Sequence, residues 1–189
     1  RVTAAEAYVW PIRQRANLEV RPNSEVQCID VDRRRAIGVT LTDGTHIEAD
    51  HVVTCAGAIH TPALLLRSGI DTPGVGHGLS DHPSAALTLQ LAAGVEHGVP
   101  ADRDGALVVG SLAEVAISAN TIQLLPMNHL GVGQPGLGLL MVALMTPSGA
   151  DGTVTIDDNG LPVVDFALLR SDSDVAALAA GVRHALHTL

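Results

Sequence analysis

Residues 52–70 read Val-Val-Thr-Cys-Ala-Gly-Ala-Ile-His-Thr-Pro-Ala-Leu-Leu-Leu-Arg-Ser-Gly-Ile, and no other stretch of the chain limits its fold as tightly. The run from His51 to Cys55 reads as a buried strand. A cluster of very small residues comes next: Ala56, Gly57 and Ala58. Thr61-Pro62 then supplies a helix N-cap with proline at the first helical position, where a missing N–H costs nothing. Leu64, Leu65 and Leu66 continue the helix, and Gly69 is placed to end it. The small-residue turn has two readings. A helix N-terminus presents unpaired N–H groups and a partial positive charge, and small residues let an anionic or planar ligand approach it. Alternatively, Gly57 only permits tight strand-to-helix packing. On physical grounds alone packing is the stronger reading, because such turns are common in α/β proteins.

The flanks supply more elements. Thr3-Ala4-Ala5-Glu6 has the form of a capping box opening a helix that Pro11 ends or kinks. Arg21-Pro22-Asn23 is turn-like, and Val26 and Cys28 alternate with Gln27 and Ile29 as a weak strand. Apolar alternation at Val39, Leu41, Ile47 and Ala49 around Asp43-Gly44 predicts a β-hairpin. From Asp71 to Pro83 the chain is glycine-rich and turn-like, and residues 106–109 form one strand-like run in a less regular stretch. In 137–145 helix and strand compete. Residues 152–156 and 163–166 around Asp158-Asn159-Gly160 predict a second hairpin. Ser171 and Asp174 stand in capping-box spacing before a helix whose apolar face is Val175, Leu178, Ala179, Val182 and Leu186.

Composition excludes several function classes. A net charge of −9 argues against binding a phosphate backbone, which needs clustered Lys and Arg. The one basic run, Arg33-Arg34-Arg35, reads as a solvated turn. Aromatic residues make up 2% of the chain, so there is little for stacking on bases or sugars. The apolar run 137–145 is far too short to span a bilayer. Cys28 and Cys55 form no CxxC and lie in apolar stretches, so buried free thiols in a reducing cytoplasm are expected, with a disulfide only if their strands are neighbours.

Chemistry-bearing patterns are few. Gly74, Gly76 and Gly78 neither succeed a convincing strand nor open a helix, so they read as turn glycines rather than a dinucleotide loop. Nine histidines include no HxH, no HExxH and no His/Cys cluster, so no metal site is expected. Asp81-His82 could act as an acid–base pair if the fold brings substrate there; a loop histidine bonded to its surroundings is the plainer reading. There is no G-x-S-x-G elbow to support a hydrolase nucleophile.

The run from Gly57 through Thr61-Pro62 and Leu64-Leu65 to Ser68-Gly69-Ile70 closely resembles the second signature of the glucose–methanol–choline (GMC) oxidoreductases. That signature is a small-residue turn, Ser/Thr-Pro, paired aliphatics and Ser-Gly-aliphatic-Gly; the final Gly is Asp71 here. Arg15-Ala16-Asn17-Leu18 resembles the family's R-x-N-L, and Ile37-Gly38-Val39 its A-x-G-V strand. Pro73-Gly74-Val75-Gly76 with Leu79, Asp81, His82 and Pro83 resembles P-G-V-G-x-N-L-x-D-H-P, with Gly78 replacing Asn. The general character of the sequence is also similar to the mycofactocin-associated branch, without a motif of its own.

This resemblance implies an α/β (α+β) fold. Residues 1–83 would be part of a Rossmann-like FAD-binding domain and 84–189 the start of an antiparallel-sheet substrate domain. It implies FAD as cofactor, an alcohol as substrate and a separate electron acceptor. A base takes the hydroxyl proton and the flavin takes hydride. Val26 matches the strand position on the adenine side of FAD, and Ala56 and Gly57 match the turn beside the cofactor. His82 is a motif residue to which the base role is not assigned. The family's GxGxxG loop and its late active-site histidine have no counterpart within 1–189, so no catalytic residue is assigned. The connection between Ile70 and Pro73 is also shorter than the family's. An internal piece of this kind is expected to bind FAD weakly or not at all and to be inactive alone. The alternative is a non-catalytic remnant or interaction module that keeps the core of the fold.

Overall fold

A computed structural model of the chain describes residues 3–90, 113–117, 120–127, 137–149 and 151–188. They divide into two units, the first comprising Arg1–Val75 with Ile156–Pro162 and the second Gly76–Thr155 with Val163–Leu189. The strand-like run at 106–109 lies outside the described residues.

The first unit begins with the expected capping box: the Glu6 N–H donates to Thr3 Oγ1 at 3.2 Å, and the Thr3 N–H donates to Glu6 Oε2 at 2.7 Å. The box does not lead into a regular α-helix. A wide turn at Ala5–Val9 passes into a tight one at Trp10–Ile12, where Pro11 sits. Proline removes the donor that a continuing helix would need.

β1 (Val26–Asp32), β2 (Arg35–Leu41) and β3 (His46–Glu48) form an antiparallel sheet in that order. Arg33 and Arg34, at φ 46° and 69°, make a two-residue turn between β1 and β2, so the basic run is a turn as its sequence suggests. The Asp43-Gly44 hairpin also forms. Gly44 takes φ +84°, its N–H reaches Leu41 O at 3.0 Å, and Asp43 Oδ1 accepts from the Thr45 N–H at 2.8 Å.

α1 (Gly57–Arg67) packs on β1 and buries Ala63 and Leu64. Its start differs from expectation. Ala56, not Thr61, is the N-cap, and Pro62 lies inside the helix. Gly57 at φ +82° turns the chain into the helix five residues early. Thr61 Oγ1 instead accepts from the Ala56 N–H at 3.0 Å, and Pro62 leaves the Ala58 carbonyl without its usual donor. The C-terminus agrees with expectation. Gly69 adopts φ +70°, the Ile70 N–H reaches Leu65 O at 2.9 Å and the Gly69 N–H reaches Leu66 O at 3.0 Å, a complete Schellman closure.

The buried strand expected at 51–55 is absent. The segment has no regular secondary structure and pairs with no strand among the described residues, and Val53 is 84% exposed. An apolar run becomes a strand only when another strand lies alongside to take its N–H and C=O groups. Both thiols are free, yet the expected burial fails: Cys55 is exposed and Cys28 is half-buried.

In the second unit, β5 (Ser84–Gln90), β8 (Leu137–Leu144), β7 (Asn120–Met127) and β6 (Ala113–Ile117) form an antiparallel sheet in that order. The 137–145 ambiguity resolves as strand, with neighbours on both sides. β4 (His77–Leu79), β9 (Gly152–Ile156) and β10 (Pro162–Asp165) make a smaller sheet that contains the second hairpin. α2 (Asp172–Thr188) covers the four-stranded sheet. Its buried stripe is Asp174, Ala177, Leu178, Gly181 and Ala185, whereas Val175 and Leu186 are exposed. The predicted face is therefore rotated. Small residues decide it: a Cβ on Gly181 would stand 2.9 Å from Ile122 Cγ2 and 3.2 Å from Val142 Cγ1. The sheet comes that close only where the helix has no side chain. The capping box is also displaced, because the Asp174 carboxylate turns to the Ser148 N–H and hydroxyl at 3.0–3.1 Å.

Candidate cofactor-binding site

The three residues expected at the cofactor all lie in the first unit, at opposite ends of one helix. Ala56 and Gly57 form the entry to α1, and both are exposed. Gly57 is required there by its backbone. At φ +82° an L-residue is strained, while an added Cβ would meet no atom within 4 Å. Conformation rather than tight strand-to-helix packing therefore fixes this glycine. The first-turn N–H groups of α1 have no partner within the helix, and the positive end of the helix dipole lies there.

Val26 opens β1 and is half-buried. Its carbonyl accepts from Arg67 Nη2 at 3.5 Å, so it sits beside the last turn of α1. Ten residues of helix separate Gly57 from Arg67, roughly 15 Å at 1.5 Å per residue. The fold thus brings Ala56 and Gly57 together but holds Val26 a helix length away. Only an extended ligand could touch both ends.

Two residues that sequence reasoning did not single out hold this arrangement. Ser68 Oγ accepts from the Ile29 N–H at 2.8 Å and donates to Leu64 O at 2.6 Å, joining the end of α1 to β1. Arg67 reaches Val26 O and, at 3.2 Å, Gly160 O. The signal for Ser68 was its place in a Ser-Gly helix ending; partners 39 and 93 residues distant gave no local signal.

In the second unit, Asp81 and His82 are exposed, and Asp81 Oδ1 accepts the His82 backbone N–H at 2.8 Å. The carboxylate thus serves its neighbour's backbone. Both residues line an open groove of about 510 Å³ with Ser80, Thr146 and Ser148. No group of three His, Cys, Asp or Glu side chains able to hold a metal occurs among the described residues. Nor is any described helix long and apolar enough to cross a membrane.

The family model described as GMC oxidoreductase matches residues 1–84, the stretch that carries Val26, Ala56, Gly57 and all of α1. Through this stretch the chain is similar to the GMC oxidoreductases, and curated relatives carry that family name. An uncharacterized GMC-type oxidoreductase in the thcA 5' region of Rhodococcus erythropolis is 31% identical over all of this chain and 42% of that protein. The 5-(hydroxymethyl)furfural oxidase of Methylovorus sp. (strain MP688) is 30% identical over 99% of this chain and 39% of its own length. An oxygen-dependent choline dehydrogenase of Burkholderia ambifaria is 35% identical over 43% of this chain and 18% of its own. The chain thus spans less than half the length of these relatives. The described residues have the expected mixed helix and sheet content, and their sheets are small and antiparallel.

Proposed function

We propose that the chain contributes to an FAD-dependent oxidoreductase that oxidises an alcohol. Residues 1–83 would belong to its Rossmann-like flavin domain and 84–189 to its substrate domain. The observation that carries the reading is the family's second signature folded as an exposed α1 N-terminus, entered through Gly57 at φ +82°. First-turn N–H groups at that end suit a negatively charged or strongly polar ligand. Val26, a helix length away, supports an extended ligand whose adenine end lies at β1. The hydroxyl-bearing molecules named for two relatives support an alcohol as the substrate class.

When bound, the flavin would accept hydride from the alcohol carbon, and a separate acceptor would reoxidise it. The residues of this chain would hold and orient the cofactor. Ala56 and Gly57 keep the helix entrance open, Val26 lines the far end, and Ser68 fixes the strand–helix spacing. Hydroxyl deprotonation is assigned to none of them. We further propose that residues 1–189 alone bind FAD weakly and turn over no alcohol, because neither a pyrophosphate loop nor the late histidine is among them.

The test is an FAD titration of this chain and of a version extended in both directions to the length of its relatives. The extended protein should hold flavin, show bleaching with a primary or secondary alcohol, and lose flavin on Gly57→Val. His82→Ala should bleach nearly as the parent does. An extended protein that folds without binding flavin would favour the non-catalytic module instead.

A further inference from the structure

We infer that Arg67 is a positioning residue. Its guanidinium holds the 157–160 turn and the first residue of β1 against the end of α1 by charge-to-carbonyl hydrogen bonds. This goes beyond the flavin reading and does not depend on it.

The side chain is shared by three segments far apart in sequence. Nη1 donates to Gly160 O at 3.2 Å, across 93 residues, and Nη2 donates to Val26 O at 3.5 Å, across 41. The turn it grips is preformed. Asp157 Oδ1 accepts from the Asn159 and Leu161 N–H groups at 2.9 and 2.8 Å, and the Gly160 N–H donates to Asp157 O at 2.9 Å. The Gly160 carbonyl is therefore presented at a fixed place. Its Cα is bare where the arginine stem crosses: an added Cβ would stand 2.9 Å from Arg67 Cδ and 3.2 Å from Cγ. Gly160 is thus needed twice, for φ +76° and for the room Arg67 occupies.

The charge has no carboxylate partner within ion-pair distance among the described residues. Nε is buried without a hydrogen-bond partner among the described residues. A cation kept there is held by carbonyl oxygens and by its place in the last turn of α1, where the helix dipole favours positive charge. An arginine suits this better than a lysine, since its planar fork can serve two carbonyls at once.

The 189-residue chain itself provides the test, with Asp-N cleavage at Asp157 and Asp158 monitored by mass spectrometry. Arg67→Met keeps length and apolar volume but removes the donors. It should speed cleavage there about tenfold, and Arg67→Lys should recover part of the protection. Unchanged cleavage in Arg67→Met, or equal loss in the Lys and Met variants, overturns the proposal. Should the arginine variants fail to fold, two turn glycines serve instead. Gly160→Ala and Gly44→Ala both place a side chain at positive φ, but only the former meets Arg67. Each variant is read at its own turn, 157–158 or Asp43. Cleavage should rise several-fold more for Gly160→Ala; an equal rise for both contradicts the role of Arg67.

Discussion

Two apolar runs of the chain meet opposite fates. Residues 137–144 become β8, the inner strand between β5 and β7, and bury Val142 and Leu144 completely. Residues 52–55, with Val52, Val53 and Thr54 all β-branched, are at least as strand-like in sequence, yet they find no strand partner among the described residues, and Val53 is 84% exposed. Apolar character does not separate them, and β-branching favours the wrong one, since β8 has a single β-branched residue, Val142. Neighbours do: β8 has a ladder partner on each edge and α2 across one face, whereas 52–55 has α1 only as its continuation. A strand is a property of a pair of segments, and its free energy comes from cross-strand contacts more than from its own residues.

The largest test of this contrast is truncation. Leu144→Ala should cost about 2–5 kcal/mol, since a fully buried leucine leaves a cavity as well as losing its transfer energy. Val53→Ala should stay within about 0.5 kcal/mol. Denaturant unfolding of both variants reads the difference, and a similar loss in both would break the comparison.

Next come the two helix glycines, which differ in the reason they are glycine. Gly181→Ala pushes a methyl group into Ile122 and Val142 and should cost about 1–3 kcal/mol by overpacking. Gly57→Ala meets open space and should cost only its backbone conformation, about 1 kcal/mol, which Asn should partly relieve. Thermal unfolding of the three variants ranks these costs. Equal losses at 57 and 181 would show that the α2–sheet approach is looser than described.

A smaller effect concerns the turns. The Leu161 backbone N–H holds the Asp157 carboxyl below its ordinary range, the Thr45 N–H does so for Asp43, and the Ala167 N–H for Asp165, with Arg170 assisting. A carboxylate with a lowered folded pKa binds protons less readily folded than unfolded. Its stabilisation is therefore full above the ordinary carboxylate pKa near 3.8 and is lost as pH falls through the lower, folded value. All three are solvent-exposed, so only a modest loss is expected, confined to pH below about 4. The Asn variants of these positions should flatten that loss in an acid titration monitored by circular dichroism.

Local chemistry was legible in the sequence wherever an element closes on itself. The Asp43-Gly44 hairpin, the Asp158-Asn159-Gly160 hairpin, the Thr3–Glu6 box and the Gly69 helix ending were all readable. Each depends on residues within five positions of one another. Features that depend on distant segments were not legible. The rotation of α2 is decided by the bulk of Ile122 opposite Gly181, and the Asp174 carboxylate is drawn away by Ser148. The start of α1 shows a different limit. Thr61-Pro62 is a valid N-cap signal, but Gly57 offered an earlier entry that the sequence alone could not rank against it. Of the candidate site, the Ala56-Gly57 turn was readable from its small residues, while its separation from Val26 by the length of α1 was not.

The central claim, that pairing rather than apolar character makes the strand, is tested most directly by amide hydrogen exchange on the 189-residue chain. Residues 52–55 should exchange at close to the rate of an unstructured peptide, while the amides of β8 that pair with β5 and β7 should be protected by several orders of magnitude. Comparable protection of the Val53 and Val142 amides would contradict the claim and show that 52–55 has a strand partner after all.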